Sequence, residues 1–298
     1  MKTGVQALPL PRWRALDFVE LTKPRIAVLV LFTVAAGALI AQRGAPDLVL
    51  LFNTLAGTAL VAAAASALNQ LLERHSDSQM RRTENRPLPA GRLQPAEVLV
   101  FGIVLAAAGL TWLAVTAKHP LAVIVAAFTL ISYVLVYTPL KRHTTLNTLV
   151  GAVPGALPPV IGWAAVAGTL DREIIALFLI VFLWQVPHFL AIAWIYRDDY
   201  ARAGLRMLPV VDAEGSVTGL QMLSYCLALV PVSLLPVLFR QAGPVYGAGA
   251  LVLGIGFTVA AVGFLREKSN ANARRVLHAS LLYLPLLLAL LLLETWMR

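Results

Sequence analysis

Three polar residues stand at the end of a long apolar stretch, at a spacing that could bind a metal ion. Asn69, Glu73 and Asp77 are four residues apart and follow the uncharged run LFNTLAGTALVAAAASAL. On an α-helix this spacing places the three side chains on one face. An amide oxygen and two carboxylates are hard ligands, which suit Mg²⁺ completed by phosphate oxygens and water. The alternative is a plain hydrophilic helix end whose carboxylates pair with arginines.

A second acidic cluster, Asp198 and Asp199 in YRDDYARAG, follows a later apolar run. If both clusters lie on one side of a membrane, they fit a site where metal ions bridge a diphosphate and cations clamp it. The basic residues around the clusters are Arg25, Arg81, Arg82, Arg86, Lys141, Arg142, Arg202 and Arg206. For each of them the alternative is a topological signal, because basic residues accumulate in cytoplasmic loops.

Unusual positions inside the apolar segments indicate an internal pocket. Ionisable groups are rare within a membrane, so His188 in LWQVPHFLAIAW is either satisfied by a neighbouring carbonyl or reaches a ligand. The run VGAVPGALPPVIGW carries three prolines, so its helix must be broken or kinked. Exposed backbone at that depth is tolerated only beside a cavity. Asn147, Tyr133 and Tyr137 are lesser candidates for the lining of this pocket.

The elements that must position these residues are membrane-spanning helices. Of the 298 residues, 59% are apolar and only 13% are charged, which is far too apolar for a soluble domain of this length. A span needs about 20 mostly apolar residues. The qualifying stretches are residues 22–41, 48–72, 98–117, 120–139, 146–168, 173–195, 219–239, 243–265 and 279–297. The sequence therefore predicts an all-α polytopic transmembrane bundle of about nine spans.

The distribution of basic residues predicts how the bundle is oriented. Loops on one side, together with the N-terminal stretch through Arg25, hold 19 Lys and Arg residues, and those on the other side hold 5. Because basic residues favour the cytoplasmic side, the N-terminus, the polar loops and the mouth of a central cavity are predicted to be cytoplasmic. The host is predicted to be bacterial, so the predicted location is the cell inner membrane. Topology and lipid contact explain the net charge of +9 without a nucleic-acid partner.

One transmembrane domain, residues 22–298, is predicted to follow segment 1–21. A faint repeat pairs KPR with KRH and GAL at 37 with GAL at 155, which divides the domain into 22–139 and 140–265 plus a last helix at 279–297. Such a repeat would bring the two acidic loops together as rims of one cavity. The one cysteine, Cys226, excludes an intramolecular disulfide and a cysteine-based zinc site.

Longer motifs in the chain resemble a known family. They are N-x-x-x-E-x-x-x-D-x-x-M-x-R-T-x-x-R-P-L from Asn69, YTPLKRHTTLNTLVGAVPGALPPVIGW from Tyr137 and WQVPHFLAIAWIYRDDYARAGLRMLPVV from Trp184. These motifs resemble the protohaem IX farnesyltransferases, or haem O synthases, within the larger family of intramembrane aromatic prenyltransferases. The likeness runs from about Thr22 to the C-terminus.

The resemblance implies a helical bundle that joins the farnesyl group of farnesyl diphosphate to a vinyl group of haem B. Water adds in the same conversion, diphosphate leaves, and haem O is the product. Mg²⁺ is the implied cofactor, and it would neutralise the leaving diphosphate. The implied metal ligands and catalytic residues are Asn69, Glu73, Asp77 and Asp199. A haem A synthase or the assembly of a terminal oxidase is the implied downstream partner.

The same resemblance implies substrate-binding residues. The implied diphosphate contacts are Lys141, Arg25 and Tyr137. Arg82 and Arg86 would lie near the diphosphate or near the haem propionates, and the two possibilities stay open. His188 would lie on the haem side.

This sequence departs from the wider family pattern N-D-x-x-D-x-x-x-D followed later by D-x-x-x-D. Gln70 and Glu73 replace the first two acids, and Ala203 stands four residues after Asp199. The site therefore has fewer carboxylates for a second Mg²⁺, and Asp198 is a substitute ligand.

Three other functions are alternatives to this interpretation. A sister prenyltransferase would use a quinone precursor such as 4-hydroxybenzoate. A transporter shares broken helices and buried polar groups, but it would place coupling-ion residues near mid-span, whereas the carboxylates here stop at the rim. A haem-binding assembly factor without catalysis would not need the acidic triplet.

Overall fold

The computed structural model describes residues 14–42 and 45–297, and in this part of the chain every regular element is helical. In chain order the helices are α1 (Arg14–Leu21), α2 (Pro24–Ala41), α3 (Leu48–Asp77), α4 (Pro95–Thr116), α5 (Leu121–Ile131), α6 (Thr138–Leu140), α7 (Asn147–Ala156), α8 (Pro158–Ala167), α9 (Arg172–Ile195), α10 (Arg197–Arg202), α11 (Leu208–Val211), α12 (Ser216–Val232), α13 (Leu235–Leu238), α14 (Pro244–Arg266) and α15 (Asn270–Trp296). A π-helical segment, Ser132–Tyr137, joins α5 to α6.

Part of the predicted N-terminal segment, residues 1–13, lies outside the described residues. The same is true of four basic residues that entered the orientation count: Lys2, Arg12, Arg43 and Arg298. The cytoplasmic orientation, the single-domain boundaries and the internal repeat stay predictions.

Nine segments of the described chain are long and apolar enough to cross a membrane. They are Pro24–Ala41, Leu48–Asp77, Pro95–Thr116, Leu121–Leu140, Asn147–Ala167, Arg172–Ile195, Ser216–Leu238, Pro244–Arg266 and Asn270–Trp296. Each predicted span overlaps one of these segments. The predicted all-helical bundle of nine spans is therefore confirmed.

Two helices extend beyond their predicted spans into polar sequence. α3 continues through the polar row to Asp77, and α15 begins at Asn270 rather than near residue 279. The Asn272 backbone N–H donates to the Ser269 hydroxyl at 3.2 Å, so Ser269 caps the first turn of α15. Hydropathy detects only the apolar part of a helix, whereas backbone bonding and capping continue through polar turns.

The proline-rich fifth span is broken, as the sequence predicts. α7 ends at Ala156 and α8 begins at Pro158, with Leu157 between them. Prolines remove backbone donors, so carbonyl groups at the break lose their helical partners. The Gln185 side chain of α9 donates to the Ala152 carbonyl at 3.2 Å. This bond joins α9 to the broken span, whereas the carbonyls that lose a donor to the three prolines are those of residues 150, 154 and 155.

Close backbone contact holds the first span, α2, against α8. A Cβ atom at Gly37 would overlap the Pro159 carbonyl oxygen, and one at Gly162 would overlap the Val34 carbonyl oxygen. Small residues allow such approach between membrane helices, where packing rather than hydrophobic exclusion drives association.

Gly162→Ala should destabilise the protein by about 1 to 3 kcal/mol, because the added methyl meets backbone that cannot move alone. The control is Gly256→Ala, since a Cβ there meets no heavy atom within 4 Å. Thermal unfolding in detergent should show a lower Tm for Gly162→Ala and an unchanged or higher Tm for Gly256→Ala. Equal melting temperatures in the two variants would contradict the tight α2–α8 contact.

The short helix α1 packs beside the polar end of α3. Its buried Leu21 accepts a hydrogen bond through its carbonyl from the Gln70 side chain at 2.8 Å. Its buried Asp17 accepts from Arg92 at 2.7 Å. These contacts place the start of α2, directly after α1, next to the polar row.

Candidate active site

The polar row of α3 is buried, and its three side chains share one face as predicted. Asn69 is 1% exposed, Glu73 is 9% exposed and Asp77 is 1% exposed. Burial of such groups costs free energy unless each finds a hydrogen bond or an opposite charge. The partners of the row therefore define the site.

Both carboxylates of the row pair with basic residues from later loops. Lys141 Nζ lies 2.6 Å from Glu73 Oε1, and Arg86 Nη1 lies 2.7 Å from Asp77 Oδ2. The alternative interpretation, a plain hydrophilic helix end, also predicts pairing of this kind. In this chain the paired carboxylates lie in the interior among several basic residues.

Two partners of Asn69 were not predicted from the sequence. Its amide donates to the Thr138 hydroxyl at 3.1 Å, and Lys23 Nζ donates to its Oδ1 at 3.4 Å. Thr138 lies directly after the π-helical segment, and Lys23 lies directly before α2. The sequence feature that could have indicated Lys23 is its position at the border of the first apolar span. Arg25 has the same position, so this feature does not distinguish the two residues.

Lys23 has a strained backbone. Its φ of 49° and ψ of 60° lie in the left-handed region, which is unfavourable for a residue with a Cβ. Pro24 follows it and further restricts its conformation. Burial, and then the nearby Arg86 guanidinium, lower the pKa of Lys23 to about 7. The surrounding fold therefore holds an amine inside a cluster that already contains two other cations.

Lys141 joins the row to the aromatic end of the fourth span. Its ammonium lies 4.6 Å from the centre of the Tyr137 ring, and Tyr137 packs against Tyr133 at 5.3 Å. Burial opposes the charge of Lys141, but the Glu73 carboxylate outweighs it and holds the pKa of Lys141 well above its usual range. The π-helical segment carries both tyrosines, and such segments are frequent at functional sites.

The row fits a hard divalent cation by the chemistry of its donors. Asp77 Oδ1 is buried and makes no hydrogen bond, which leaves a carboxylate oxygen free for a ligand. Asn69 and Glu73 contribute further oxygen donors, and oxygen donors of this type suit Mg²⁺. Arg86 and Lys141 balance the two carboxylates, and an anionic ligand would favour the charged form of the third basic residue, Lys23.

The second acidic cluster, Asp198 and Asp199, makes contacts of its own that do not include this row. Asp199 pairs with Arg202, one turn along α10, and Asp198 is exposed. Across the described ranges, no three His, Cys, Asp or Glu side chains converge to hold a metal. A shared metal site between the two clusters stays a prediction.

The predicted arginine contacts divide into two groups. Arg86 lies in the cluster through Asp77, whereas Arg82 lies at the rim, 4.7 Å from the Tyr196 ring centre. Arg25 is exposed, and no hydrogen bond or ion pair joins its side chain to any described residue. Of the two basic residues around Pro24, the structure thus brings Lys23, not Arg25, into the cluster.

His188 lies between α9 and α15, away from the polar row. Its Nδ1 is 2.8 Å from the Ser280 hydroxyl, and its ring stacks on Trp184 at 5.0 Å. A satisfied histidine was one of the two sequence interpretations, although the partner here is a hydroxyl. The haem-side role of His188 stays a prediction.

Two cavities of the described residues border different parts of the bundle. The smaller, about 230 Å³, borders Glu73 and Arg142. The larger, about 880 Å³, lies at the C-terminal end of α2 and is lined by Trp163 and Trp296 among others. The predicted central cavity with a cytoplasmic mouth stays a prediction.

Comparison with known proteins gives a consistent family. The model of the UbiA prenyltransferase family matches residues 30–292. A protein named protoheme IX farnesyltransferase from Solibacter usitatus is 48% identical over 289 residues, which are 93% of this chain and 98% of the relative. A protein of the same name from Myxococcus xanthus is 46% identical over 295 residues, 99% of this chain and 98% of the relative.

Solved structures share the fold at low sequence identity. A structure of digeranylgeranylglyceryl phosphate synthase superposes with a TM-score of 0.80 at 18% identity, covering 96% of this chain and 99% of that one. A UbiA homolog from Archaeoglobus fulgidus, bound to GPP and Mg²⁺, superposes with a TM-score of 0.64 at 16% identity, covering 94% and 99%.

Proposed function

The chain belongs to the UbiA prenyltransferase family, and from this premise we propose that it transfers a farnesyl group from farnesyl diphosphate to a vinyl group of haem B. It is a multi-pass membrane protein. The observation that carries the choice of substrates is the near full-length similarity to proteins named protoheme IX farnesyltransferase. The buried row of Asn69, Glu73 and Asp77 with its three basic partners supports a diphosphate donor.

In the proposed reaction the bond between C1 of the farnesyl group and the diphosphate oxygen breaks. The terminal vinyl carbon of haem B forms the new carbon–carbon bond to C1. The hydroxyl of a water molecule adds to the inner vinyl carbon, and its proton is released. The products are haem O, which carries a hydroxyethylfarnesyl group, and diphosphate.

The cations of the cluster bind the diphosphate in this mechanism. Lys23, Arg86 and Lys141 converge on the polar row, and their contacts with its three residues hold them in place. Charged donors that are already positioned stabilise the negative charge that develops on the leaving diphosphate. Tyr137, under Lys141, lines the same side. The main contributions are therefore positioning and stabilisation of the leaving group.

Asn69, Glu73 and Asp77 would hold Mg²⁺, with Asp199 or Asp198 as donors from the other acidic segment. When bound, Mg²⁺ supplies positive charge to the diphosphate oxygens. The Archaeoglobus fulgidus UbiA homolog bound to GPP and Mg²⁺ supports a divalent metal in this family. The free Asp77 Oδ1 is the donor whose environment in this chain best fits that role.

The remaining parts of the proposal concern the acceptor and the location. Arg82 and His188 belong to the haem side, and Arg25 is an outer contact for the diphosphate as it enters. The membrane is the cell inner membrane, with the site on the cytoplasmic side and with haem A synthase or terminal oxidase assembly downstream. The excess of basic residues in alternate loops supports this orientation.

The test of the function is incubation of the purified full chain with haem B, farnesyl diphosphate and Mg²⁺, with and without EDTA. Mass spectrometry of the haem should show haem O in the presence of metal and none with EDTA. A parallel incubation replaces haem B by 4-hydroxybenzoate. Turnover of only that acceptor by folded protein would replace this proposal with the quinone-precursor prenyltransferase.

Substitution of Lys23 should affect the donor more strongly than substitution of Arg25. We expect Lys23→Gln to lower kcat/KM for farnesyl diphosphate by about 10- to 100-fold, because a charged hydrogen bond contributes about 1.5 to 3 kcal/mol. Exposed Arg25, changed to Gln, should give a smaller loss. Initial rates at varied farnesyl diphosphate would check both variants. An equal or larger loss in Arg25→Gln would return the diphosphate contact to Arg25.

A further inference from the structure

Arg82 is held in a specific orientation at the rim of the candidate site. Its guanidinium lies 4.7 Å from the ring centre of Tyr196 and 5.8 Å from that of Tyr200. It also donates to the Tyr200 hydroxyl at 3.3 Å. Two aromatic rings and a hydroxyl thus fix an exposed side chain that would otherwise sample many rotamers.

The charge of Arg82 is not neutralised by any carboxylate of the described residues. This distinguishes it from other basic residues at the same end of the bundle: Arg86 pairs with Asp77, Lys141 with Glu73 and Arg202 with Asp199. The partners of Arg82 are aromatic and neutral. Its charge therefore stays available to an anion.

The geometry also leaves the donors of Arg82 accessible. Aromatic rings contact the flat faces of a guanidinium, whereas its N–H groups lie in the plane and point outward. One of these groups is engaged by the Tyr200 hydroxyl. The others can form the paired hydrogen bonds that a guanidinium makes with a carboxylate.

Arg82 and the two tyrosines that hold it, Tyr196 and Tyr200, form a group that we call the clamp. The clamp lies next to the cluster proposed for the diphosphate, but outside it. Tyr200 follows Asp199 in the chain and lies within electrostatic range of Tyr137, whose ring is 4.6 Å from the Lys141 ammonium. Met80, Leu205 and Met207 form a small apolar cluster with Tyr200 packed against it. Arg82 therefore contacts Tyr196 and Tyr200, whereas Arg86 and Lys141 pair with the carboxylates of the polar row.

We propose that Arg82, positioned by Tyr196 and Tyr200, binds a carboxylate of the acceptor, and that this carboxylate is a haem propionate. The inference rests on the proposed function and assigns Arg82 to the acceptor rather than to the diphosphate. The propionates and the vinyl groups occupy opposite halves of the porphyrin. A propionate bound at the rim therefore leaves the vinyl half directed inward, toward the cations that hold the donor.

The test compares the binding of haem B with that of its dimethyl ester, which lacks both carboxylates. Absorbance titration of the folded full chain should give a Kd for haem B about 10-fold lower than that for the ester, since tenfold corresponds to 1.4 kcal/mol, about one charged pair. Arg82→Gln should raise the Kd for haem B about 10-fold and leave the Kd for the ester unchanged. Arg82→Lys should recover only part of the affinity, because it keeps the charge without the planar donors.

Variants of the clamp separate positioning from general stability. Tyr196→Phe keeps the ring and should bind haem B like wild type, whereas Tyr196→Leu should lose several-fold affinity for haem B only. Arg274→Gln, at an exposed arginine of α15, is the matched control. In all variants the KM for farnesyl diphosphate should change less than about threefold, which is under 0.7 kcal/mol.

Other outcomes overturn the inference in distinguishable ways. Equal wild-type affinity for haem B and its ester, or equal losses for both in Arg82→Gln, would exclude a carboxylate contact while leaving haem binding intact. A raised KM for farnesyl diphosphate with unchanged haem binding would assign Arg82 to the diphosphate. No binding of either haem form by wild type would overturn this inference together with the proposed acceptor.

Discussion

Asp77→Asn should lower farnesyl transfer by about 10²- to 10³-fold, which is the effect expected when one preorganised charged group of a site is removed. Asp77 is 1% exposed, and its Oδ2 pairs with Arg86 at 2.7 Å. Its Oδ1 is buried without a hydrogen-bond partner. Asparagine keeps the shape but removes the charge, so both the proposed metal contact and the counter-charge of Arg86 are lost.

The measurement is haem O formation per folded protein at saturating substrates, with Mg²⁺ varied. The matched control is Glu84→Gln in the loop that follows α3, where the side chain is exposed. We expect that control to retain wild-type turnover and Asp77→Asn to remain in the membrane at normal levels. Wild-type activity in Asp77→Asn would remove Asp77 from the metal site and would favour the plain hydrophilic helix end.

The architecture was accessible from the sequence because membrane spans are encoded by length and polarity. Every predicted span overlaps a helical segment long enough to cross a membrane, and the break near Leu157 follows from its prolines. Helix ends were less accessible, because the cap at Ser269 extends α15 through a polar segment. The row of Asn69, Glu73 and Asp77 was predicted because i, i+4 spacing is a local property of one helix.

The partners in the site could not be predicted, because they depend on contacts between distant segments. Lys23 and Arg25 are both basic residues at the border of the first span, so the sequence does not distinguish them. Lys23 enters the cluster with its own backbone in the left-handed region, directly before Pro24. The contacts of Arg82 with Tyr196 and Tyr200 require the α3–α4 loop to meet the end of α9 and α10. The environment of His188 depends on how α9 is rotated against α15. Residue spacing within a single segment does not determine these contacts between segments or the rotation of one helix against another.

The buried pair of Glu73 and Lys141 gives the second large effect. The two side chains are 12% and 14% exposed and 2.6 Å apart. Removal of one partner from a buried pair typically costs about 3 to 5 kcal/mol, and the larger loss is expected for Glu73→Gln, because Lys23 and Arg86 still act on Glu73 when Lys141 is removed. We therefore expect Lys141→Met and Glu73→Gln each to lower the Tm in detergent clearly. Each should also lower farnesyl transfer by at least about 100-fold, because a diphosphate or metal contact is lost.

The double variant Glu73→Gln with Lys141→Met separates the structural role from the chemical role. Neutral side chains of similar size should restore most of the lost thermal stability, since neither leaves a buried charge. Activity should remain at the level of the single variants, because both the proposed metal ligand and the proposed diphosphate contact are still absent. The reading of the pair as part of the reaction site would fall if activity returned with stability, since the two residues would then be a structural ion pair. Single variants as stable as wild type would instead show that solvent compensates each charge, contrary to the buried geometry.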